Sequence, residues 1–285
     1  MEVFRPPCAI ALSLGEVTYD VTSRALVMGI LNRTRDSFFA PAATFDLEEL
    51  YARAEQLVEE GADLLDVGGV KAGPGDEVAE DEELDRVVPV VAELRRRFDV
   101  PISIDTWRAS VAEACFKEGA VIGNDISGFA DRRYLEVAAA AGATVVATHI
   151  RLAPRVADPD PRYDDVTKTV CDFLQERRQW ALDAGVRADR IIVDAGLDLG
   201  KSAAQSLTLL RDSPRIAALG SPLLLSASNK TFLGVLFGLD VTERREPSLA
   251  ATALALAAGC RVVRAHDVVG TVRIRDAIAR LLEAP

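Results

Sequence analysis

The chain has 285 residues and a formal net charge of −11, with 49% apolar and 27% charged residues. This acidic balance excludes a general nucleic-acid or anionic-membrane surface, because both need clustered Lys and Arg. The apolar content excludes extensive disorder, and the length fits one α/β barrel of about 250 residues or two ordinary domains. No run reaches 18 apolar residues and no signal-peptide pattern is found. We therefore predict a cytoplasmic protein without a membrane segment.

The cysteines give no sign of a metal or disulfide framework. Cys8, Cys115, Cys171 and Cys260 are far apart, no Cys-x-x-Cys pair exists, and the chain has only two histidines. A structural zinc site is therefore not expected. Free thiols in a reducing compartment are the expected state.

Residues 1–24 predict an N-terminal β-hairpin that serves as a lid. Polar and apolar residues alternate from Ile10 to Leu14, and a turn is predicted near Gly15. No linker, low-complexity tract or shift in composition follows. We therefore predict that residues 1–285 form a single domain.

Eight short apolar runs follow the hairpin, and each ends in or leads to polar residues. Continuous aliphatic runs are typical of parallel strands that are buried on both faces. Helical patterns such as 47–60, 84–97 and 205–216 separate them, so the alternation predicts a (β/α)8 TIM barrel. A doubly wound open sheet is the alternative, although no Gly-rich phosphate turn follows the first run. The polar positions are Asn32, Asp66, Asp105, Asn124, His149, Asp194, Lys230 and the segment 264–267.

Four of these positions predict a binding site. The carboxyl ends of barrel strands meet at one mouth, so Asp66, Asp105, Asn124 and Asp194 are expected to face one pocket. Such groups accept hydrogen bonds from the amidine-like edge of a heterocycle, act as acid or base, or bind a metal. The alternative is helix N-capping, because Asp and Asn also begin the loops before helices.

A second group of side chains predicts an anion site. Asn32, Arg264 and His266 come from the first and last runs, which are neighbours in a closed barrel. They suit a diphosphate, and Asn32 can also bind a metal. Lys230 is expected to hydrogen-bond a ring carbonyl or stabilise an anion. A structural His266 and a solvated Lys230 are the alternatives, and 196–201 resembles only half of a phosphate loop.

These motifs, in this order, resemble the dihydropteroate synthase family, which joins a pterin methyl diphosphate to 4-aminobenzoate in folate biosynthesis. The similarity runs from about Val27 to Val268. The resemblance implies that the protein positions the reactants and stabilises charge while diphosphate leaves and the arylamine attacks the remaining methylene cation. The matching motifs are 28–32 with 36–38, 66–69, 102–106, 124–128, 194–201 and 264–268.

The resemblance also implies individual roles. Asp105, Asn124 and Asp194 would recognise the pterin edge and ring nitrogens, and Lys230 the pterin carbonyl. Arg264 would stack on the ring. In addition, Asn32 and His266 would hold the diphosphate and its Mg²⁺. A homodimer is implied through late helices, where 232–237 and 249–256 are apolar, although these segments are apolar enough to be core instead.

The chain departs from the family pattern mainly in its loops. The family's Val and Pro after the first strand are Arg33 and Arg35 here, and its Asp and two glycines further along are Ala40, Pro41 and Ala42. The Thr and Arg of its second loop are replaced together, and the Gly-Phe-Gly near Lys201 is changed. The Arg before Lys230 is replaced, and the methionines that flank His149 are lost. These later replacements are Ala72, Gly73, Asp198, Leu199, Asn229, Thr148 and Ile150.

Loss of several transition-state contacts reduces a rate by orders of magnitude. We therefore predict a divergent paralogue that keeps much of the pterin pocket and lacks efficient synthase activity. The alternatives are an active synthase with rearranged loops, a pterin- or folate-binding methyltransferase-type protein, and a non-catalytic partner protein. A carboxylate at Asp198 would either enter the pocket and repel anionic ligands or turn outward to solvent.

Overall fold

The computed structural model describes residues 9–33 and 47–283. Eight parallel strands form a closed barrel, and the last strand pairs with the first. This confirms the predicted TIM barrel and excludes the doubly wound sheet. The strands are β1 (Ala11–Leu14), β2 (Val17–Asp20), β3 (Leu26–Asn32), β4 (Leu64–Gly68), β5 (Ile102–Asp105), β6 (Ile122–Asp125), β7 (Thr144–Thr148), β8 (Ile191–Asp194), β9 (Leu223–Leu225) and β10 (Cys260–Ala265).

The first two strands form the predicted antiparallel hairpin outside the barrel. Its Leu12 and Leu14 side chains are buried with the residues that fill the barrel interior. Ser13 Oγ donates to Asp189 Oδ2 at 2.7 Å, and Arg190 donates to the Gly15 carbonyl at 2.6 Å. Because residues 189–190 precede β8, the hairpin closes the amino-terminal end of the barrel. It lies opposite the strand ends that carry the candidate site residues.

Helices cover the outside of the barrel, and some of them differ from the sequence prediction. The predicted helix 205–216 is two helices, because Pro214 has no N–H and is favoured at the start of a new helix. A short helix after Lys230 was not predicted. The helix predicted from 84 begins earlier, where acidic residues suit the helix dipole. The helices are α1 (Leu47–Glu59), α2 (Glu80–Arg97), α3 (Ala109–Lys117), α4 (Arg133–Ala140), α5 (Val166–Asp183), α6 (Ala203–Arg211), α7 (Ser213–Ala217), α8 (Thr231–Phe237), α9 (Arg245–Ala257) and α10 (Val268–Glu283).

The apolar residues form an inner core and two outer cores. Met28, Leu64 and Ile122 are among the side chains that fill the barrel, while the outer cores lie between strands and helices. Burial of these side chains is the main favourable contribution to folding. In the described part of the chain, no helix is long and apolar enough to cross a membrane.

Candidate functional site

Arg264 lies across the barrel mouth, the end where the strands have their carboxyl termini. Its Nε donates to Asp66 Oδ2 at 2.6 Å, and its Nη2 donates to Asp105 Oδ2 at 2.9 Å. Asn124 Nδ2 donates to the Asp66 carboxylate at 3.3 and 3.4 Å. We call Asp66, Asp105, Asn124 and Arg264 the strand-end network. The structure brings these four predicted residues together, and Asp66 and Asp105 pair with Arg264 rather than with a helix N-terminus.

Two buried carboxylates share one guanidinium in this network. Burial raises the pKa of Asp105 to about 7, the positive charge of Arg264 opposes that rise, and the nearby Asp66 reinforces it. Near neutral pH, Asp105 therefore exchanges between a carboxylate that accepts hydrogen bonds and an acid that donates one.

Asp194 and Lys230 lie at the opposite side of the mouth. Asp194 Oδ1 accepts from the Gly196 N–H at 2.8 Å within the β8–α6 loop, and this bond is not a helix N-cap because α6 begins only at Ala203. Lys230 is half-buried, and burial lowers its pKa while Asp198 and Asp194 oppose that change. Lys230 therefore lies among the charges of the mouth rather than in bulk solvent.

Asn32 lies beside the strand-end network. A Cβ atom placed on Gly68 would come within 3.3 Å of Asn32 Oδ1 and 3.5 Å of the Asp105 Cβ, so Gly68 separates the two side chains. Within residues 9–33 and 47–283, no group of three or more His, Cys, Asp and Glu could hold a metal. A Mg²⁺ ion at Asn32 would therefore take most of its oxygen ligands from a bound diphosphate and water, which is how Mg²⁺ commonly binds.

His266 lies at the rim, next to the β9–α8 loop. Its Nδ1 lies 3.0 Å from Ser228 Oγ, and its backbone N–H donates to the same hydroxyl at 3.2 Å. Its carbonyl accepts from Arg53 at 2.9 Å. The residue as a whole is exposed to solvent, although burial of its imidazole lowers its pKa to about 4.

Two further polar residues near the strand ends are engaged in packing or in hydrogen bonds to their own loops. His149 is buried, its ring contacts Phe173 edge-on at 4.8 Å between centroids, and burial lowers its pKa to about 3. Lys201 Nζ donates to the carbonyls of Gly196, Leu199 and His149 at 2.8, 2.9 and 3.1 Å. Lys201 thus holds the β8–α6 loop together, and this role does not require a phosphate.

The β4–α2 loop is held by an arginine that sequence reasoning missed. Arg155, in the β7–α5 loop, donates side-chain hydrogen bonds to the carbonyls of Lys71 at 2.9 Å, Gly73 at 3.0 Å and Asp76. Its backbone N–H also donates to the Ala72 carbonyl at 3.1 Å. Ala72 and Gly73 replace the family's Thr and Arg in this clamped loop. A lone loop arginine gives no sequence signal of such contacts.

Arg33 has a comparable role at the end of β3. Its Nη1 donates to the carbonyls of Asp85 at 3.2 Å and Arg86 at 2.5 Å in α2. Pro89 lies inside this helix and has no N–H to donate to Asp85, four residues earlier. Arg33 therefore satisfies a carbonyl that the proline leaves without its helical donor. The other departures in this loop, Arg35, Ala40, Pro41 and Ala42, lie outside the described residues.

Asp198 neither enters the strand-end network nor turns to solvent. Its two carboxylate oxygens lie 3.1 and 3.2 Å from the Phe232 nitrogen, whose N–H they accept in the first turn of α8. The residue has φ +68°, a conformation that a non-glycine residue adopts at a cost. The hydrogen bond to α8 offsets that cost and fixes the carboxylate near Lys230.

The sequence and fold match known proteins. The family profile described as "Pterin binding enzyme" matches residues 28–266. The chain is 44% identical over 264 residues to the Mycobacterium leprae protein named "Inactive dihydropteroate synthase 2", covering 90% of this chain and 91% of that protein. It is also similar to the Yersinia pestis dihydropteroate synthase in a sulfonamide complex, with TM-score 0.91, 34% identity, and coverage of 97% and 100%.

A third match is the Xanthomonas albilineans dihydropteroate synthase with 4-aminobenzoic acid. It has TM-score 0.90 and 35% identity, and the alignment covers 98% of this chain and 100% of that one. The chain therefore belongs to the pterin binding enzyme family and is a homologue of dihydropteroate synthase.

Proposed function

We propose that this family member binds a pterin in the barrel mouth and lacks efficient synthase activity. The observation that carries the proposal is the contrast between a connected strand-end network and loops that have lost reactive side chains. The name of the Mycobacterium leprae relative supports it as well. The three alternatives from sequence remain distinguishable, since an active synthase turns over substrate, a methyltransferase-type protein binds a reduced folate, and a non-catalytic partner protein binds no pterin.

The strand-end network suits the flat, polar edge of a pterin. Asp105 and Asn124 offer acceptor and donor atoms side by side, and Asp194 faces them across the mouth with one oxygen uncommitted to Gly196. Arg264 is held flat by two carboxylates, so its guanidinium is positioned to stack on a ring. Lys230 supplies a cation for a ring carbonyl.

Loss of efficient catalysis follows from the β4–α2 loop. Departure of diphosphate moves charge at the reacting carbon, and enzymes stabilise that charge with groups placed in advance. Ala72 and Gly73 offer no side-chain donor or charge, and Arg155 is engaged with backbone carbonyls. Asn32 and His266 remain to hold the diphosphate. Asn32 would also bind a Mg²⁺ ion that the substrate carries.

We also propose a homodimer through α8 and α9. Phe232 and Leu233 belong to the core, whereas Val235 and Phe237 expose 67% and 60% of their surface. Leu254 in α9 is 48% exposed. Sedimentation velocity should show a dimer that Phe237→Glu converts to a monomer, and a monomeric unmodified protein would refute the dimer.

Free thiols at Cys115, Cys171 and Cys260 support the expected cytoplasmic location.

The deciding experiment is a calorimetric titration with pterin methyl diphosphate and Mg²⁺, followed by 4-aminobenzoate. We expect the pterin to bind, and we expect that diphosphate is not released at an enzymatic rate. Asp105→Asn should weaken binding, and Asp160→Asn, which alters an exposed carboxylate elsewhere, is the matched control. Turnover at an ordinary rate, or growth of a strain that lacks the synthase, would establish the active alternative. Absence of pterin binding would refute the proposal.

A further inference from the structure

His266, at the rim of the mouth, is held both at its backbone and at one edge of its ring. The backbone N–H donates to Ser228 Oγ at 3.2 Å, and the carbonyl accepts from Arg53 at 2.9 Å. The ring nitrogen Nδ1 lies 3.0 Å from the same Ser228 hydroxyl. In the part of the chain that the structure describes, the other ring nitrogen, Nε2, has no hydrogen-bond partner. The imidazole therefore has one engaged nitrogen and one that remains for a ligand.

The Ser228 hydroxyl is itself fixed, through the residue that follows it in the β9–α8 loop. The Asn229 N–H donates to Ser248 Oγ at 3.0 Å, and the Asn229 carbonyl accepts from Arg244 Nη1 at 3.1 Å. The Ser248 hydroxyl in turn donates to the Arg244 carbonyl. These bonds hold the loop against the start of α9. Ser228 therefore stays beside the ring without help from a ligand.

The imidazole of His266 is uncharged at neutral pH. Burial lowers its pKa, and the positive charges of Arg264, Arg53 and Lys230 lower it further, to about 4. A neutral imidazole has one N–H, which donates, and one bare nitrogen, which accepts. The nitrogen that carries the proton therefore decides what the ring can bind.

The hydrogen of the Ser228 hydroxyl determines which nitrogen that is. A hydroxyl has one hydrogen and two lone pairs. One lone pair accepts from the backbone N–H of His266, which can only donate. Across residues 9–33 and 47–283, Nδ1 is the one acceptor that the structure places within reach of this hydroxyl. Nδ1 therefore accepts, and the ring proton lies on Nε2.

We propose that Ser228 is a positioning residue that holds His266 as the Nε2–H tautomer, so that the neutral ring donates this N–H to a phosphoryl oxygen. The inference rests on the proposed function for its anion, the diphosphate of the pterin, and deepens it by naming the residue that prepares the rim. A bare Nε2 would instead direct a lone pair at the anion and repel it. Arg264 and Lys230 supply the positive charge nearby.

The first experiment determines the tautomer by NMR in the full, ligand-free chain. The protein has only two histidines, so isotope labelling of their ring nitrogens gives two sets of signals, and His266→Phe assigns them. At pH 7, Nε2 of His266 should carry the proton and Nδ1 should appear as an unprotonated nitrogen. Ser228→Ala should produce exchange between the two tautomers. Ser228→Thr, which keeps the hydroxyl, should restore the original pattern.

The second experiment measures anion binding by calorimetric titration with inorganic diphosphate. The affinity of Ser228→Ala should be about threefold lower than that of the unmodified protein, because the ring must first select the productive tautomer. His266→Phe, which has no donor, should bind about tenfold more weakly. Diphosphate should shift the Nε2–H signal of the unmodified protein and leave Nδ1 unprotonated.

Thr242→Ala is the matched control. Thr242 is exposed and lines the same cavity of about 280 Å³ as Ser228 and His266, so the variant removes a hydroxyl from the same surface without a hydrogen bond to the ring. It should change neither the tautomer nor the affinity. A proton on Nδ1 of the unmodified protein, an unchanged tautomer in S228A, equal diphosphate affinity of these two proteins, or no diphosphate binding would each overturn the proposal.

A hydroxymethyl pterin, which lacks the diphosphate, separates this proposal from the proposed function. Its affinity should be the same for the unmodified protein and for Ser228→Ala, because it presents no phosphoryl oxygen to His266. Failure of this pterin to bind the unmodified protein would refute pterin binding, whereas the tautomer and the response to inorganic diphosphate would stand. A loss of pterin affinity in Ser228→Ala equal to the loss of diphosphate affinity would show a general structural role and overturn the positioning role.

Discussion

The barrel mouth and the loops above it use their cationic side chains differently. In the strand-end network, Arg264 pairs with two carboxylates and remains among groups that can meet a ligand. In the loops, Arg33, Arg155 and Lys201 donate to backbone carbonyls. A cation that satisfies carbonyls makes a loop rigid but is not available to stabilise a transition state. The difference indicates that the barrel mouth keeps side chains that can contact a ligand, whereas the cations of the loops stabilise the loop backbone.

The largest expected effect comes from breaking the strand-end network. Arg264→Met should leave Asp66 and Asp105 buried without a countercharge, lowering the free energy of unfolding by about 3–5 kcal/mol. Urea denaturation at pH 7 measures the change, and pterin binding should disappear with it. Arg162→Met, at an exposed ion pair, should change stability by less than about 0.5 kcal/mol. Equal stability of both variants would show that the network is not structural.

A second test concerns proton uptake at the mouth. The pKa of Asp105 is raised to about 7 by burial, so the carboxylate form is present above that pH and is lost as the pH falls through it. A pterin edge that donates hydrogen bonds requires the carboxylate. Its affinity should therefore rise about tenfold between pH 6 and pH 8. Calorimetry in two buffers would also detect the released proton, and Asp105→Asn should remove the pH dependence.

The hydrogen bonds that Arg155 donates to the β4–α2 loop predict a smaller and local effect. Arg155→Ala should accelerate amide hydrogen exchange across residues 70–79 and reduce the free energy of unfolding by about 1 kcal/mol. Exchange in the strands should not change. Synthase turnover should not appear, because Ala72 and Gly73 still lack reactive side chains. A gain of turnover would mean that rigidity of the loop, rather than its composition, suppresses the chemistry.

The smallest effect tests the match between Arg33 and Pro89. Arg33→Val should cost about 1 kcal/mol, since the Asp85 carbonyl loses its donor. In a Pro89→Ala background, the alanine N–H supplies that donor, and the same change should cost about 0.5 kcal/mol less. A double-mutant cycle by urea denaturation measures the coupling. Additive effects would show that the two residues act independently.

The sequence predicted the parts that depend on periodicity. Aliphatic runs that end in polar residues identified the strands, and barrel closure then placed Asn32, Asp66 and Arg264 near one another. The hydrogen bonds made by Arg155 and Lys201 were not predictable, because every residue has a carbonyl and the choice of partner depends on tertiary structure. Helix α8 was missed for the same reason, since its first turn is capped by the distant Asp198.

The pairing of β10 with β3 sets the order of events during synthesis. Asp66 and Asp105 leave the ribosome well before Arg264, from which they are separated by 198 and 159 positions. Until the last strand docks, these two carboxylates have no guanidinium to neutralise them, and the barrel has an open seam. Assembly of the pocket and closure of the barrel are therefore one event. A nascent chain cannot acquire its ligand before it is complete to β10.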